Sequence, residues 1–209
     1  MRTQGTEVKK KSEDRRVAQG NATREALVVA ARSLFGERGY AETSTDDVVA
    51  KAGVTKGALY HYFTAKEDIL LEIYTTVFDE QMAALDDIIA MNREPEWTLR
   101  EIIHSLIGVT AANVKVSAVF SREATRMDQT RWAALQDRWR GYQESVRAVI
   151  RRGQSDGSFA TVASPEMASW AIFGVTTSLH TWYRPDGPKT PQQLATELSD
   201  LVLAGLAPR

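Results

Sequence analysis

The apolar residues of this chain recur with a helical period almost from end to end, and this spacing constrains its fold more than any other feature. Between residues 22 and 38 they fall three and four positions apart and so form one stripe along a helix: Leu27, Ala30, Ala31, Leu34 and Phe35. No segment alternates apolar and polar residues for long enough to indicate a strand. The sequence therefore predicts an all-α fold.

Capping residues divide this pattern into separate helices. The first is predicted to begin after Asn21 and to end at Gly39. Two short helices follow, the first opened by a capping box of Ser44 with Asp47 and the second capped by Thr55. Because only four residues separate them, the two short helices form a tight corner.

A second capping box, Thr64 with Glu67, predicts the start of a long fourth helix over residues 66 to about 91. Five further helices are predicted at 97–114, 116–127, 129–153, 165–182 and 191–206. The chain thus divides into a small three-helix N-terminal part and a larger helical C-terminal part.

Composition excludes several classes of protein. The chain has 209 residues and no cysteine, which excludes a thiolate metal site, a catalytic thiol and a structural disulfide, and fits a cytoplasmic location. No apolar run approaches the roughly 20 residues that span a bilayer, so no membrane partner is expected. The sequence contains no glycine-rich phosphate loop, nucleophile elbow or cluster at metal-ligand spacing, so we expect no enzyme activity, metal or cofactor.

Charge is distributed unevenly along the chain. The formal net charge is −1, yet residues 1–65 carry 11 Lys and Arg against 8 Asp and Glu. Residues 1–20 offer little to bury and include five basic residues between Lys9 and Arg16, so we expect a flexible basic arm there. A basic N-terminal part joined to an acidic remainder indicates an anionic partner at the N-terminal end.

The corner at residues 44–63 has the form of a helix-turn-helix. Leu59 and Phe63 lie four apart and face one core, which leaves an outer face of Lys56, Gly57, Tyr60 and His61. A helix of this kind can place its N-terminal end in the major groove of DNA, with Lys66 near a phosphate. Such corners also occur in helical proteins that never bind DNA, so the pattern alone leaves both interpretations open.

The segment TSTDDVVAKAGVTKGALYHYFTAKEDIL at residues 43–70, preceded by Ala30-Ala31 and Leu34-Phe35, closely resembles the DNA-binding domain of the TetR family of bacterial transcriptional repressors. The resemblance covers about residues 22–70. It implies a helix-turn-helix domain at 21–65 and an effector-binding and dimerisation domain at 66–209. It also implies that six residues contact a double-stranded operator: Thr45, Lys56, Gly57, Tyr60, His61 and Lys66.

Members of this family are homodimers whose last two long helices form the interface, and the resemblance implies the same here. The two last predicted helices are apolar on more than one side, which fits a shared interface and also fits a helix buried in a monomer. The predicted interface residues are Trp170, Leu179, Leu194, Leu198, Leu201 and Val202.

The resemblance further implies a small hydrophobic effector bound in the C-terminal domain. Residues 146–159 and 182–191 resemble members that control lipid, fatty-acid or steroid degradation and respond to acyl-CoA thioesters. The predicted ligand-binding residues are Met82, Leu85, Ile103, Ile107, Phe120, Arg122, Trp139 and Phe173. The pairs Arg122 with Arg126 and Arg147 with Arg151, each four apart, are candidates for the CoA phosphates.

Together these features predict a repressor that binds a palindromic operator as a dimer and is released by an acyl-CoA thioester. Two alternatives stay open at this point. One is a multidrug-type repressor that responds to hydrophobic cations, and the other is a constitutive DNA-binding protein without an effector.

Overall fold

A computed structural model describes the backbone of residues 4–124 and 129–208, and the side chains from residue 20 onward in those ranges except 129 and 131. These residues form ten helices and no strand, which confirms the all-α fold. The helices are α1 (Gln4–Arg38), α2 (Thr45–Ala52), α3 (Lys56–Tyr62), α4 (Lys66–Ala90), α5 (Pro95–Ala112), α6 (Val114–Glu123), α7 (Gln129–Asp156), α8 (Pro165–Thr177), α9 (Leu179–Trp182) and α10 (Pro191–Leu206).

The chain forms two compact units that divide between Ile73 and Tyr74. The first unit contains α1, α2, α3 and the first two turns of α4, whose Ile69, Leu70 and Ile73 are buried. The division therefore falls within α4, eight residues beyond the boundary expected at residues 65 and 66.

Helix α1 begins at Gln4, well before the predicted start after Asn21. Residues 4–20 thus continue a helix, and the prediction of a separate flexible arm does not hold for their backbone. The physical reason lies in composition: residues 7–19 are mostly Glu, Lys, Arg, Gln and Ala, which favour helix without any burial. Opposite charges four residues apart, such as Glu7 with Lys11 and Lys9 with Glu13 in the sequence, add to this preference.

The predicted caps of α2 and α3 are present. The Asp47 backbone N–H donates to the Ser44 hydroxyl (3.1 Å), and the Ser44 N–H donates to the Asp47 carboxylate (2.8 Å), which completes the capping box. Gly53 then turns the chain with φ of 68°, a left-handed conformation that glycine adopts without strain. Thr55 caps α3 by accepting from the Ala58 N–H at 3.2 Å.

The predicted box before α4 has a different partner. The Thr64 N–H and hydroxyl donate to Asp68, at 2.8 and 2.5 Å, and not to Glu67. Since α4 begins at Lys66, Asp68 is its third residue, which is the position of the carboxylate in a capping box. The predicted helix start at residue 66 is correct, but the predicted box was wrong by one residue because the cap position is Ala65, whose N–H also donates to Asp68 at 3.1 Å.

Helix α5 lies at the centre of the second unit and contacts α6, α7, α8, α9 and α10. Its Leu99, Ile102, Ile103, Leu106 and Ile107 are almost completely buried.

A single helix was predicted over 165–182, but it is interrupted at Ser178 and so forms α8 and α9.

The interruption at Ser178 has a local cause. The hydroxyls of Thr176, Thr177 and Ser178 donate to backbone carbonyls four residues back, at 3.0, 2.6 and 2.7 Å. Hydroxyls that bind the helix backbone in this way disturb it and bend it. Three in succession therefore account for the end of α8.

Within the described part of the chain, no single helix has the length and apolar character needed to cross a membrane. The pair α5 and α6 meets the criterion of length and composition only when joined, and it is bent by 82° between the two helices.

A prediction on stability arises at Gly153, in the last turns of α7. A Cβ atom at this position would overlap the ring of the buried Phe159, whose N–H donates to the Gly153 carbonyl at 2.8 Å. We expect Gly153→Ala to lower the free energy of unfolding by about 1–3 kcal/mol because the ring must move within a packed core.

The matched control is Gly141→Ala, on the same helix, where an added Cβ meets nothing within 4 Å. This variant should be more stable by up to about 1 kcal/mol because alanine favours helix over glycine. Urea unfolding followed by circular dichroism at one protein concentration measures both. Equal stability of the two variants would contradict the expected overlap.

Candidate nucleic-acid interface and effector cavity

The outer surface of α3 presents the side chains predicted to contact DNA. Leu59 and Phe63 are buried in the first unit, as expected. This leaves Lys56, Gly57, Tyr60 and His61 exposed. We call these four residues the recognition face.

Gly57 faces open space. A Cβ added there would meet nothing within 4 Å, and its φ does not lie in the left-handed region. The fold of the free protein therefore does not require glycine at this position. The absence of a side chain instead lets another molecule approach the backbone closely.

Lys56 lies at the N-terminal end of α3 and is paired across the corner with α2. Its Nζ is 2.7 Å from Oδ1 of Asp46. The hydrogen bond with Asp46 raises the pKa of Lys56 above its ordinary value. The ammonium group thus stays charged and already has one anionic partner.

Lys66 differs from the recognition face in its surroundings. Its Nζ donates to the backbone carbonyls of Tyr40 (2.8 Å) and Thr43 (2.9 Å) and lies 4.2 Å from the centre of the Tyr40 ring. A cation in the first turn of a helix interacts unfavourably with the helix dipole. The sequence predicted that a phosphate near Lys66 would offset this cost. In the structure the two backbone carbonyls offset it instead. Lys66 therefore holds the segment between α1 and α2. Thr45, the first residue of α2, is half-buried.

Other cations of the first unit also have anionic partners. Arg24 pairs with Glu72 at 2.8 Å, Lys51 with Glu37 at 3.4 Å, and Arg38 lies 3.8 Å from Asp47. These pairs are largely exposed and contribute little to stability. These three cations, like Lys56, therefore have an anionic partner before any external anion arrives.

The second unit contains a cavity of about 460 Å³. It is lined by Tyr74, Val77, Gln81, Leu106, Thr110, Ser117, Phe120, Ser121, Ala124, Trp132, Trp139, Thr176, Thr177, Ser178 and His180. Aromatic rings form much of the wall, with Tyr74 stacked on Phe120 at 3.5 Å between ring centres. Burial raises the pKa of Tyr74, so its hydroxyl stays protonated.

Two polar side chains meet within this mainly apolar wall. Gln81 of α4 and Thr110 of α5 are both buried, and the Gln81 Nε2 donates to the Thr110 hydroxyl at 3.4 Å. At this length the hydrogen bond is weak. The two groups can therefore exchange it for a hydrogen bond to a ligand.

Several large apolar side chains are exposed on α8 and α10, two helices that contact each other. On α8 they are Met167, Trp170 and Val175, and on α10 the side chain of Leu201 is 71% exposed. We call these four residues the apolar face. Large apolar residues grouped on a surface indicate an interaction site.

Comparison with known proteins identifies the chain. A family model described as "Bacterial regulatory proteins, tetR family" matches residues 27–73, and one described as "Tetracyclin repressor-like, C-terminal domain" matches residues 92–206. The chain belongs to the TetR family. The two matches correspond to the unit with the helix-turn-helix and the unit with the cavity.

Individual relatives within the TetR family agree with this assignment. The HTH-type transcriptional repressor KstR2 of Mycobacterium tuberculosis is 28% identical over 194 residues, which cover 92% of this chain and 97% of the relative. The structure of that protein, described as a ketosteroid transcriptional regulator, has a TM-score of 0.77 at 27% identity and covers 89% of this chain and 95% of its own. The named function of this relative is repression, which is not enzymatic.

A second solved structure shares the fold. AibR in complex with isovaleryl coenzyme A and operator DNA has a TM-score of 0.71 at 23% identity, with coverage of 86% of this chain and 97% of that chain. At this identity the likeness shows the fold alone.

For this TetR-family chain, only two of the predicted ligand-binding residues, Phe120 and Trp139, line the cavity. The others do not: Leu85, Ile103, Ile107 and Phe173 are buried in the core, Met82 is half-buried and Arg122 is exposed. Helical periodicity locates the apolar side of each helix, but it does not say which part of that side borders a void.

Sequence reasoning also missed residues that do line the cavity, above all Gln81, Thr110, Trp132 and His180. One signal was available. Gln81 interrupts the apolar series at positions 77, 81 and 85 of the fourth helix, and a polar residue inside an apolar stripe is a candidate for a functional group.

No arginine lines the cavity among the described residues, and the predicted pairs are not assembled there. Arg147 lies 3.5 Å from Glu144, and Arg151 also pairs with Glu144, so the two cations share one carboxylate. Arg126 lies outside the described residues. Among the described residues, no three His, Asp or Glu side chains are arranged to hold a metal ion.

The predicted dimer residues also separate into two groups. Trp170 and Leu201 are exposed, whereas Leu194, Leu198 and Val202 are half-buried. Leu179 is completely buried, so its assignment to the interface was wrong. The break at Ser178 is the reason: it places Leu179 on the short α9, whose direction the apolar series of α8 does not predict.

Proposed function

We propose that this TetR-family protein is a transcriptional repressor that binds a palindromic operator as a homodimer and is released by an acyl-CoA thioester. Each subunit places the N-terminal half of α3 in one major groove, so that Lys56, Gly57 and Tyr60 meet the DNA. The exposure of the recognition face and the open space at Gly57 support this arrangement. The relative KstR2 is named as an HTH-type transcriptional repressor.

The homodimer is supported by the apolar face. Pairing two copies about a twofold axis would cover Trp170 and Leu201 in both subunits at once. Ala171 and Gly174 are exposed beside Trp170 on α8, and their small size lets a second helix approach closely. Twofold symmetry of the protein in turn requires an operator with twofold symmetry.

The residues that line the cavity support an acyl-CoA thioester as the effector. Its volume of about 460 Å³ lies within the range of known ligand sites, roughly 300–1,000 Å³. None of the described lining residues is Asp, Glu, Lys or Arg, so a hydrophobic cation would find no countercharge. An uncharged acyl chain fits the aromatic wall, and Gln81 and Thr110 can bind an oxygen atom of the ligand.

The CoA part of the ligand would remain outside the uncharged cavity. Ser121 lines the cavity and the next residue, Arg122, is exposed, which supports a phosphate contact beyond the opening. AibR, which shares the fold, was solved with isovaleryl coenzyme A, so a fold of this type accommodates an acyl-CoA.

Helix α4 is the proposed link between effector and DNA. Its first two turns belong to the first unit, and Tyr74, Val77 and Gln81 farther along line the cavity. A ligand that shifts these residues would move the start of the same helix. An effector lowers DNA affinity only if it favours a conformation that fits the operator less well, and a coupling of about 1–3 kcal/mol would lower affinity roughly 5–150-fold.

The experiment is a titration of the protein–operator complex, with the operator first selected from a random duplex pool. Fluorescence anisotropy would follow release by acyl-CoA thioesters of increasing length, by the matching free acids and by cationic dyes. We expect release by one class of thioester and none by dyes. The variant Ser117→Trp, which fills part of the cavity, should bind operator but resist release, while Lys115→Trp on the exposed side of α6 should respond like the wild type.

Each other result has a distinct meaning. Release by dyes with no response to any thioester would overturn the acyl-CoA proposal and leave the repressor intact. A complex that no ligand class releases would favour constitutive DNA binding. A protein that enriches no palindrome would contradict the DNA-binding proposal itself.

A further inference from the structure

The ion pair between α2 and α3 lies on the surface that the proposed function assigns to DNA. Asp46 is the second residue of α2 and Lys56 the first of α3, and their charged atoms are 2.7 Å apart. Both side chains are exposed, by 67% and 57% respectively. The pair is therefore formed in solvent, where a phosphate could reach it.

Asp46 is not needed to cap α2, although as an acidic residue of the first turn it interacts favourably with the helix dipole. The capping box of α2 uses Asp47, which accepts from the backbone N–H of Ser44 at 2.8 Å. Asp46 instead pairs with Lys56. At 2.7 Å this ion pair is shorter than the 3.8 Å pair that Asp47 forms with Arg38. Its position therefore calls for an explanation other than capping.

An anionic partner changes what Lys56 can contribute to binding. A lysine that is free in solution gains a phosphate contact on DNA of any sequence, with release of a counterion. A lysine held by a carboxylate must first give up that contact, and the carboxylate repels the same phosphate. The pair is broken at a net gain only where the DNA offers Lys56 a well-placed acceptor, such as a guanine edge in the operator.

We propose that Asp46 is a specificity-determining residue of the DNA interface: it keeps Lys56 from phosphates on DNA of arbitrary sequence and releases it on the operator. The proposal rests on the DNA-binding role of α3 given above. It assigns to a carboxylate in a DNA-binding surface the function of lowering non-specific affinity. The raised pKa of Lys56 is consistent with this, because Asp46 stabilises its charged form.

The test compares wild type and Asp46→Asn on a random-sequence duplex and on the selected operator, over a range of salt concentrations. One additional neutralised phosphate steepens the slope of log K against log salt by about 0.9 and raises affinity about 8-fold at 0.1 M salt. We expect this gain on the random duplex and a smaller gain on the operator. The ratio of specific to non-specific affinity should therefore fall.

Two controls separate this role from general repulsion. Glu42→Gln removes an exposed carboxylate of the same unit that does not pair with Lys56, and it should leave the salt slope unchanged. In a Lys56→Met background, Asp46→Asn should lose its effect on the random duplex. Thermal unfolding of each variant confirms that α2 is intact.

The proposal is overturned if Asp46→Asn leaves non-specific affinity and salt slope at the wild-type values. It is also overturned if the gain persists in the Lys56→Met background, because repulsion would then act without Lys56. A wild type that selects a palindrome while Asp46→Asn changes nothing contradicts only this inference. A wild type that selects no duplex contradicts the proposed function and this inference together.

Discussion

A Gly57→Glu variant is expected to fold as stably as the wild type or better, and to bind the operator at least about 100-fold more weakly, a loss of about 2.7 kcal/mol. The gain in stability follows from two effects. Glycine disfavours helix by about 1 kcal/mol relative to alanine, and an acidic residue in the first turn interacts favourably with the helix dipole. Space for the side chain is open in the free protein.

The loss of binding has a different origin. The new side chain would extend from the recognition face toward the DNA, where it adds bulk and a negative charge against phosphates. Gly141→Glu, on an exposed part of α7 with open space around it, makes the same chemical change in the second unit and should leave operator affinity unchanged. Anisotropy titrations and thermal melts measure the two quantities separately. Operator affinity within a factor of three of the wild type would show that α3 does not face DNA at Gly57.

A Leu201→Glu variant is expected to be monomeric at micromolar concentration and to lose tight operator binding. In the subunit this side chain is 71% exposed, so a carboxylate there stays hydrated and the fold is retained. In a dimer formed through the apolar face it would be buried without a partner, once in each subunit, at a cost of several kcal/mol. One recognition helix alone cannot read both halves of a palindrome.

Light scattering measures the mass of the variant in solution, and circular dichroism reports its helix content. The control is Val29→Glu, which changes a valine that is 61% exposed on α1 in the first unit, and this variant should remain dimeric. A folded dimer for Leu201→Glu would contradict the placement of the interface on α8 and α10. A monomeric wild type would contradict the homodimer itself.

The local features of this protein could be predicted from the sequence because they depend on residues close in the chain. The capping box of Ser44 and Asp47, the turn at Gly53 and the exposed face of α3 each arise within about one or two helical turns. Helical period and capping chemistry act over the same distance. For this reason the helix-turn-helix and the all-α fold were predicted correctly, along with most helix boundaries.

Helical period and capping residues did not predict two features of the backbone, the start of α1 and the break between α8 and α9. Residues 4–20 lack an apolar stripe, yet their helix-favouring composition suffices for a helix that begins at Gln4. The break at Ser178 required three hydroxyls to bind the backbone of the preceding turn. Both features belong to the backbone, and burial patterns alone do not reveal them.

The sequence by itself thus determined the helices and the exposed face of α3 that we propose to meet DNA, whereas only the tertiary structure decided which side chains meet. Packing brings Gln81 of α4 to Thr110 of α5 in the cavity and buries Leu85 and Ile103 away from it. It also pairs Lys56 with Asp46 and binds Lys66 to the carbonyls of Tyr40 and Thr43. The physical reason is that such partners lie 10 to 29 residues apart, and only the packing of helices brings them together.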